Sequence, residues 1–300
     1  MRVGVLTDDG AFADLLEDPP ALPAAPGLTD LIADARRSGK RLAELIDDAR
    51  RGARERVAVD LEEGIAVHGT DRIPLAVPVD APECWAAGVT YLRSREAREE
   101  EARPDSRDIY ARVYDAQRPE IFLKDAGSRR TVGPGGDICV RRDSTSTVPE
   151  PELGLILDTD GRIVAYTVGN DVCARDLEGE NPLYLGQAKT YRGSCALGPA
   201  ALIAEGDEEK DGFPIDLVVR DRDGAPILEA ATSTRAMRRG FAELVAYLAR
   251  DNVIADGTVL LTGTGIVPPD GFTLEEGQTT EIAIPSIGTL RNRVRRAASG

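Results

Sequence analysis

Histidine, tryptophan and cysteine are scarce in this sequence. One histidine, one tryptophan and four cysteines occur among 300 residues, and aromatic side chains make up 4%. The cysteines are far apart and form no C-x-x-C pair, which favours reduced thiols over disulfide bridges or a zinc site. The only histidine, His68, lies in a short predicted strand and is interpreted as a core or surface residue.

Positive charge and long apolar runs are also lacking. Lysine and arginine total 37 against 52 acidic residues, so the formal net charge is −15. Such a field repels phosphate backbones and anionic lipids, which argues against nucleic-acid and membrane partners. The uncharged stretch Thr258–Pro269 is far shorter than the roughly 20 apolar residues of a membrane-spanning helix. The first residues show no secretory pattern, and we predict a cytoplasmic protein without a membrane segment.

Two regions of different pattern divide the chain. We predict an α+β fold, with a small α+β N-terminal domain at residues 1–78 and a mainly β domain at residues 79–300. Apolar residues three and four apart predict two amphipathic helices that begin near Leu28 and Leu42. After the junction, short Val, Ile and Leu runs alternate with glycine turns, and one helix is predicted at 237–249.

A predicted β-hairpin brings three carboxylates together. Asp160-Gly161 is typical of a two-residue turn, and with that turn the numbers of facing residues sum to 321, which places Glu150 opposite Asp171. Since side chains alternate between the faces of a strand, Glu150, Glu152 and Asp171 then share one face. A loop with one residue more or fewer would turn the second strand over and separate the group.

The three carboxylates have two interpretations. Side chains on neighbouring strands are close enough for their oxygens to hold one hard cation, and oxygen-only ligands favour Mg²⁺, with Mn²⁺ or Ca²⁺ as alternatives, over zinc. The other interpretation is a solvated end of a sheet, where acidic side chains prevent aggregation of strand edges.

Several motifs resemble the fumarylacetoacetate hydrolase superfamily, from about Pro78 to the C-terminus. They are Asn170–Asp176, Gln187–Tyr191, Leu197–Pro199, Leu261–Gly265 and Ile287–Asn292. The resemblance implies a mainly β catalytic domain of the fumarylacetoacetate hydrolase type, which binds Mg²⁺ through Glu150, Glu152 and Asp171. The hairpin argument and the resemblance therefore select the same three residues.

One motif departs from the hydrolases of that superfamily. They carry a Gly-x-Asn-Tyr-x-x-His pattern whose histidine activates water, whereas this sequence reads Gly-Val-Thr-Tyr-Leu-Arg-Ser, with Ser94 at the histidine position. Arg118–Phe122, Val148–Leu153 and Glu178–Tyr184 are most similar to the 2-keto-3-deoxy-D-arabinonate dehydratase branch. That branch implies metal-dependent dehydration of a 2-keto-3-deoxy sugar acid through an enolate, with 2,5-dioxopentanoate as the product from a pentonate.

Six further residues are candidates for this chemistry. Lys189 matches the superfamily lysine beside the bound oxo acid, and Glu120, which precedes an apolar run, is the candidate for proton transfer. The predicted substrate-binding residues are Arg93, Ser94, Lys124 and Thr264. The plainer alternatives are a solvated lysine for Lys189, a surface salt bridge for Glu120 and a side chain that only supports its strand for Lys124.

Two other functions remain compatible with the sequence. The same fold could act as a hydrolase or decarboxylase of a related oxo acid such as an acylpyruvate, or it could bind a divalent ion or an oxo acid without catalysis. In each case the partner is a small-molecule 2-oxo acid, and the resemblance implies a homo-oligomer.

Overall fold

The computed structural model describes residues 4–6, 11–14, 27–52, 56–68, 71–101, 112–206 and 208–297. Seven α-helices have both ends within these residues: α1 (Leu28–Ser38), α2 (Leu42–Gly52), α3 (Leu92–Glu101), α4 (Arg175–Glu180), α5 (Leu185–Lys189), α6 (Glu208–Asp211) and α7 (Phe241–Ala249). Residues 112–115 are helical as well. None of the helices in the described part of the chain is long and apolar enough to cross a membrane.

An N-terminal antiparallel sheet has the strand order β1-β2-β3-β4-β5. Its strands are β1 (Gly4–Leu6), β2 (Ala11–Asp14), β3 (Arg56–Asp60), β4 (Ile65–His68) and β5 (Asp71–Pro74). His68, at the end of β4, pairs with Asp71 through the backbone. The only histidine therefore belongs to a sheet that lacks the three predicted metal ligands.

Two larger sheets build the rest of the chain. The central sheet has the order β7-β6-β17-β11-β12-β14-β8, and the outer sheet has the order β16-β15-β18-β19-β9. The central strands are β6 (Glu83–Gly88), β7 (Glu120–Ala126), β8 (Thr131–Val132), β11 (Pro151–Leu157), β12 (Ile163–Asp171), β14 (Cys195–Ile203) and β17 (Thr258–Leu261). The outer strands are β9 (Asp137–Val140), β15 (Pro214–Arg220), β16 (Pro226–Ser233), β18 (Thr279–Ile284) and β19 (Gly288–Arg296). A separate two-stranded sheet is formed by β10 (Thr147–Val148) and β13 (Cys173–Ala174).

Both faces of the central sheet are buried. On one face, Leu153 and Leu155 of β11 join a core with Ile215 and Ile282 of the outer sheet. On the other face, a second core joins residues of α1 and α2 to the central sheet, with Leu31, Ile32, Ile46, Ile156, Ala165 and Leu261 among its members. Every residue of β11 is buried, so its sequence is a nearly continuous apolar run in which a buried charge needs a partner.

The predicted α+β class with a mainly β C-terminal part is confirmed. The two amphipathic helices begin at Leu28 and Leu42 as predicted. The helix predicted at 237–249 begins later, at Phe241, because Met237 is extended and Gly240 forms the N-cap. The domain boundary at 78/79 stays a prediction, and α1 and α2 share a core with the central sheet.

Asp125 fixes the turn that follows Lys124 at the end of β7. Its carboxylate accepts hydrogen bonds from the backbone N–H groups of Ala126, Arg130 and Thr131 at 2.8–2.9 Å and from the Thr131 hydroxyl at 2.7 Å. Burial alone would raise the pKa of Asp125, but the hydrogen bonds from Arg130 and Thr131 outweigh burial and lower this pKa below its usual value.

We expect Asp125→Asn to lower the free energy of unfolding by about 2 kcal/mol at pH 7, because the amide accepts fewer of these hydrogen bonds. A carboxyl whose pKa is lowered by folding adds stability above its unfolded pKa and loses it as the pH falls through the folded pKa. In urea unfolding, the free energies of unfolding of the parent and the variant should therefore differ at pH 7 and become similar below about pH 3. Equal stability at pH 7 would contradict the prediction.

Candidate metal centre and adjoining pocket

The hairpin of β11 and β12 places the three predicted metal ligands together. From Pro151 to Ile156 the pairing follows the predicted sum of 321, with Glu152 opposite Gly169. The Asp171 N–H donates to the Glu150 carbonyl at 3.0 Å, which extends this register to the end of the hairpin. One carboxylate oxygen from each of Glu150, Glu152 and Asp171 lies within 4.8 Å of the others.

The turn of this hairpin differs from the predicted two-residue turn. The Gly161 N–H donates to the Asp158 carbonyl, and the Asp158 N–H donates to the Arg162 carbonyl, so the loop has three residues. Gly161 has a φ of 74°, whereas Asp160 is not among the residues with positive φ. The Asp158 carboxylate also accepts from the Asp160 and Arg162 N–H groups, which stabilises this loop.

A bulge restores the register that the longer loop would have shifted. Leu157 pairs with Ile163, and Ile156 pairs with Ala165, so Val164 is the extra residue. The predicted pairing of Leu157 with Val164 is therefore wrong, while the pairing nearer the carboxylates follows the prediction. The loop and the bulge shift the pairing by one residue in opposite directions, and the face that carries the carboxylates is preserved.

Lys189, at the end of α5, contacts two of the three carboxylates. Its Nζ donates to Glu150 Oε2 at 2.6 Å and to Asp171 Oδ2 at 3.0 Å, and it is 2% exposed. Burial disfavours the ammonium, but the neighbouring Asp171, Cys173 and Glu150 outweigh burial and raise the pKa of Lys189 well above its usual value. The side chain is therefore a cation held within the cluster.

Two further basic side chains approach the cluster. Arg175 Nη2 donates to Glu150 Oε1 at 2.9 Å. Lys124, which is fully buried, places Nζ at 2.5 Å from Asp171 Oδ1 as an ion pair and donates its hydrogen bond to the Val172 carbonyl at 2.8 Å. Both cations hold a carboxylate in place, and Lys124 lies close to a predicted metal ligand.

Glu152 is a buried carboxyl group whose charged form a bound cation would stabilise. It is 1% exposed, and its Oε2 accepts the Gly263 N–H at 2.6 Å. Burial, together with the charges of Asp171 and Glu150, raises the pKa of Glu152 well above its usual value. Such a carboxyl is stabilised as an anion when a cation lies beside it.

The donor set of this trio fits Mg²⁺. Asp171 Oδ1 is buried and accepts no hydrogen bond from the described residues, although Lys124 Nζ lies 2.5 Å away as an ion pair. All donors are carboxylate oxygens, which hard cations prefer. A second group, Glu150 with Cys173 and Glu178, also has ligand atoms within 4.8 Å of one another. Because that group contains a thiol, whose proton would have to leave, it suits Mg²⁺ less well.

A small pocket of about 10 Å³ lies beside the trio and is lined by several predicted site residues. Its walls include Ser94, Glu120, Lys189 and Thr264 together with the three carboxylates. Ser94 is 5% exposed, and the Thr264 hydroxyl accepts the Ile266 N–H at 3.1 Å, which fixes the loop after β17. The structure therefore brings Ser94, Glu120, Lys189 and Thr264 together with the trio.

Arg93 and Lys124 lie elsewhere. The side chain of Arg93 is 56% exposed on α3, and its Nη1 is 3.9 Å from Glu96 Oε2. Lys124 contacts Asp171 as described and is buried beneath the cluster. Their predicted binding of substrate stays a prediction, and the observed contacts indicate a surface position for Arg93 and a supporting position for Lys124.

Glu120 owes its position to the residue that faces it. Gly88 of β6 pairs with Glu120 of β7, and a Cβ atom at Gly88 would overlap the Glu120 carboxyl group. Because Gly88 has a hydrogen atom in place of a side chain, the Glu120 carboxylate can occupy this space. At Gly263, whose φ is 91°, a Cβ atom would overlap the Thr90 hydroxyl, so the N–H that reaches Glu152 also depends on glycine.

We expect Gly88→Ala to lower activity by about 10²-fold with little change in thermal stability, because the flexible Glu120 carboxyl can move away from its working position. Gly186→Ala is the matched control, since a Cβ atom at Gly186 meets nothing within 4 Å. Initial rates and thermal melts of both variants test this. Parental activity in Gly88→Ala would contradict the importance of the Glu120 position.

Three residues contribute to the site in ways that were not predicted from the sequence. The Gly263 N–H is a backbone group, so its only signal in the sequence is the glycine-rich Thr-Gly-Thr-Gly loop. Gly263 has a positive φ in that loop. Arg175 lies in the Asn170–Asp176 motif, but the sequence did not indicate that its side chain contacts Glu150. Glu178 lines the pocket and is 4% exposed, whereas the sequence indicated it only as the start of the Glu178–Tyr184 motif and gave it no role in the site.

Comparison with known proteins identifies clear relatives. The family described as fumarylacetoacetate (FAA) hydrolase C-terminal matches residues 84–295. The chain is 47% identical over 269 residues to the probable 2-keto-3-deoxyxylonate dehydratase of Haloferax volcanii, and the match covers 89% of this chain and 91% of that protein. It is also 47% identical over 227 residues to the 2-dehydro-3-deoxy-D-arabinonate dehydratase of Saccharolobus solfataricus, covering 75% of each.

A solved structure extends the similarity to the whole fold. It is that of 2-keto-3-deoxy-D-arabinonate dehydratase complexed with magnesium and 2,5-dioxopentanoate, with a TM-score of 0.77 and 36% sequence identity. The superposition covers 99% of this chain and 96% of that chain.

Proposed function

The chain belongs to the fumarylacetoacetate hydrolase family, and from this premise we propose that it is a magnesium-dependent dehydratase of 2-keto-3-deoxy sugar acids. The observation that carries the proposal is the composition of the pocket. Three buried carboxylates lie beside Lys189 and Glu120, and Ser94 stands where the hydrolases of the family carry histidine. The relatives named as dehydratases and the complex of one with magnesium and 2,5-dioxopentanoate support it.

Glu150, Glu152 and Asp171 are the proposed magnesium ligands. Bound there, Mg²⁺ would polarise the ketone of a 2-oxo acid and make the proton on C3 more acidic. The Gly263 N–H and Arg175 orient Glu152 and Glu150, and Lys124 holds Asp171. These contacts fix the ligands, since partners that orient a ligand strengthen its hold on a metal.

Glu120 is the proposed proton carrier. It accepts the proton from C3 of the substrate and returns it to the hydroxyl that leaves C4, so that one water is lost and the carboxylate is regenerated. The unsaturated product keeps its C5 hydroxyl and rearranges to 2,5-dioxopentanoate.

Lys189 supplies the positive charge for the substrate. Its ammonium lies in the pocket wall, where it can neutralise negative charge that develops on the oxo acid as the proton leaves. Ser94 and Thr264 are the proposed hydrogen-bonding contacts for the substrate carboxylate and hydroxyl groups. Phe122, whose ring centroid is 5.5 Å from Lys189 Nζ, covers the ammonium from one side.

Turnover of two test substrates distinguishes between the candidate functions. The protein with Mg²⁺ should consume 2-keto-3-deoxypentonate and form 2,5-dioxopentanoate, whereas an acylpyruvate should remain unchanged. Chelation of the metal should stop the reaction, and added Mg²⁺ should restore it. Turnover of the acylpyruvate alone would support a hydrolase or decarboxylase instead. If Glu120→Gln and Lys189→Ala change no turnover, a binding protein without catalysis is favoured.

Location and assembly belong to the same proposal. We infer a cytoplasmic homo-oligomer, which the family resemblance supports. The four cysteines are buried and form no disulfide bridge, and this fits a reducing compartment. Light scattering of the purified protein should give a mass that is a multiple of 32.1 kDa, and a mass of one chain would contradict the assembly.

A further inference from the structure

A buried arginine supports the chain segment that precedes β7. Arg239, just before α7, is 6% exposed. Its guanidinium group donates hydrogen bonds to the backbone carbonyls of Val113, Ala116 and Gln117 at 3.1, 2.6 and 3.4 Å. Residues 112–115 are helical, so these carbonyls lie at the end of that helix and just beyond it. The last carbonyl groups of a helix lack donors within the helix, and an arginine at that end can supply them.

Arg239 is itself held in place by α7. Its Nη1 donates to Glu243 Oε1 at 2.6 Å, and Glu243 lies in the first turn of that helix. A guanidinium group is planar and presents its N–H donors in a fixed arrangement. Because Arg239 binds three carbonyls and one carboxylate at once, it fixes the helix end at residues 113–117 relative to α7.

A second arginine connects the same helix end to the strand that faces Glu120. The guanidinium carbon of Arg238 lies 4.8 Å from the centre of the Tyr114 ring, which is 9% exposed. The backbone N–H of Arg238 donates to the Thr90 carbonyl at 2.9 Å. Thr90 is two residues after Gly88, which pairs with Glu120. Arg238 and its neighbour therefore hold the chain on both sides of the Glu120 carboxyl group.

The link from the helix end to Glu120 is short and stiff. Gln117, whose carbonyl accepts from Arg239, is three residues before Glu120. Pro119 fixes its own φ and restricts the preceding Arg118 to extended conformations. From Glu120 onward the backbone is paired with β6. A shift at Gln117 therefore reaches Glu120, because few torsion angles lie between them to absorb it.

We propose that Arg239 is a positioning residue for Glu120 and keeps its carboxyl group where it can reach the proton on C3 of the substrate. Arg239 lies outside the described wall of the pocket, so it acts through the chain segment and not by contact with the substrate. Gly88 leaves room for the carboxyl group, and Arg239 holds the backbone that carries this group. This inference rests on the proposed dehydratase function.

Loss of Arg239 should lower kcat and leave substrate binding nearly unchanged. Arg239→Met keeps most of the apolar part of the side chain but removes the donors to the three carbonyls. We expect kcat to fall by about 10- to 100-fold, because a displaced proton carrier loses much of its effect. KM and Mg²⁺ affinity should change by less than about twofold. Arg239→Lys keeps the charge with fewer fixed donors, so its kcat should lie between those of the parent and Arg239→Met.

The experiment measures Arg239→Met in two backgrounds. Dehydration of 2-keto-3-deoxypentonate with Mg²⁺ is followed by proton NMR for the parent, Arg239→Met, Glu120→Gln and the double variant. If the arginine acts through Glu120, Arg239→Met should lower kcat by about 10-fold or more in the parent but by less than about twofold in Glu120→Gln. Arg250→Met is the matched control and should leave kcat unchanged, because Arg250 is exposed at the other end of α7.

The outcomes separate this inference from the proposed function. An equal loss in both backgrounds, a parental kcat in Arg239→Met or a loss that lies mainly in KM overturns the inference and leaves the dehydratase intact. Parental turnover by Glu120→Gln overturns the role of Glu120 together with this inference, and a parent that forms no 2,5-dioxopentanoate overturns the proposed function as well.

A second variant replaces Arg239→Met if that protein does not fold. Glu243→Ala removes the carboxylate that holds the guanidinium group and leaves Arg239 itself in the chain. It should lower kcat by about threefold or more in the parent and by less than about twofold in Glu120→Gln. The same loss in both backgrounds would overturn the inference.

Discussion

Replacing Glu152 with glutamine should abolish activity while the metal-free fold stays at least as stable as the parent. The amide has the same shape and can still accept the Gly263 N–H, but it is a poor ligand for a hard cation. We expect a loss of about 10³-fold or more in turnover, because one of the three proposed magnesium ligands is removed. The neutral side chain also relieves the buried, mutually repelling carboxyl groups described above.

Two measurements test this prediction together. Calorimetric titration with Mg²⁺ should show weaker binding by Glu152→Gln, and thermal melts without metal should show a midpoint equal to or above that of the parent. Glu229→Gln, an exposed residue of β16, is the matched control and should change neither quantity. Unchanged Mg²⁺ affinity in Glu152→Gln would show that the trio is not the metal centre.

Replacing Lys189 with methionine should lower activity but strengthen the binding of Mg²⁺. The ammonium contacts Glu150 and Asp171 at 2.6 and 3.0 Å, so it repels any divalent ion that the same carboxylates attract. Removing one positive charge at this distance should raise Mg²⁺ affinity by about 10-fold or more, since charge interactions in a buried site are strong. Activity should fall by about 10²–10³-fold, because a donor to the developing negative charge is lost.

Activity is expected to fall while Mg²⁺ affinity rises, and this combination makes the Lys189→Met variant a sharp test. Calorimetry should show tighter Mg²⁺ binding, and Mg²⁺ should raise the melting temperature of Lys189→Met more than that of the parent. Lys40→Met, at an exposed lysine that pairs with Asp48, is the control for loss of a lysine and should leave both measurements unchanged. Weaker Mg²⁺ binding by Lys189→Met would mean that the lysine helps to hold the ion.

The position of the trio was predictable because alternation in strands is a strict rule. Glu150, Glu152 and Asp171 share a face only when the register is preserved, and the observed pairing of Glu152 with Gly169 preserves it. The turn type was predicted wrongly, since Asp158 stabilises a three-residue loop through its side chain. The bulge at Val164 compensates, and neither feature has a clear signal in the residue pattern.

Other parts of the site depend on contacts that a linear pattern does not encode. Arg175 reaches Glu150 across 25 positions of the chain, and Glu178 reaches the pocket only because α4 follows β13 directly. The contact of α1 and α2 with the central sheet is of the same kind, since an apolar stripe predicts burial but not the partner. Long-range packing decides these positions, and local propensity does not.

The three basic side chains around the trio imply an order of events. Lys189, Lys124 and Arg175 already form ion pairs with Glu150 and Asp171, so we expect the fold to form without the metal, unlike small domains that fold only around zinc. A divalent ion held by the trio would offset the remaining negative charge of the buried carboxylates. The site would then repel an organic anion less than it does without the ion. We therefore expect the ion to bind before the acid, and the protein without the ion to be folded but inactive.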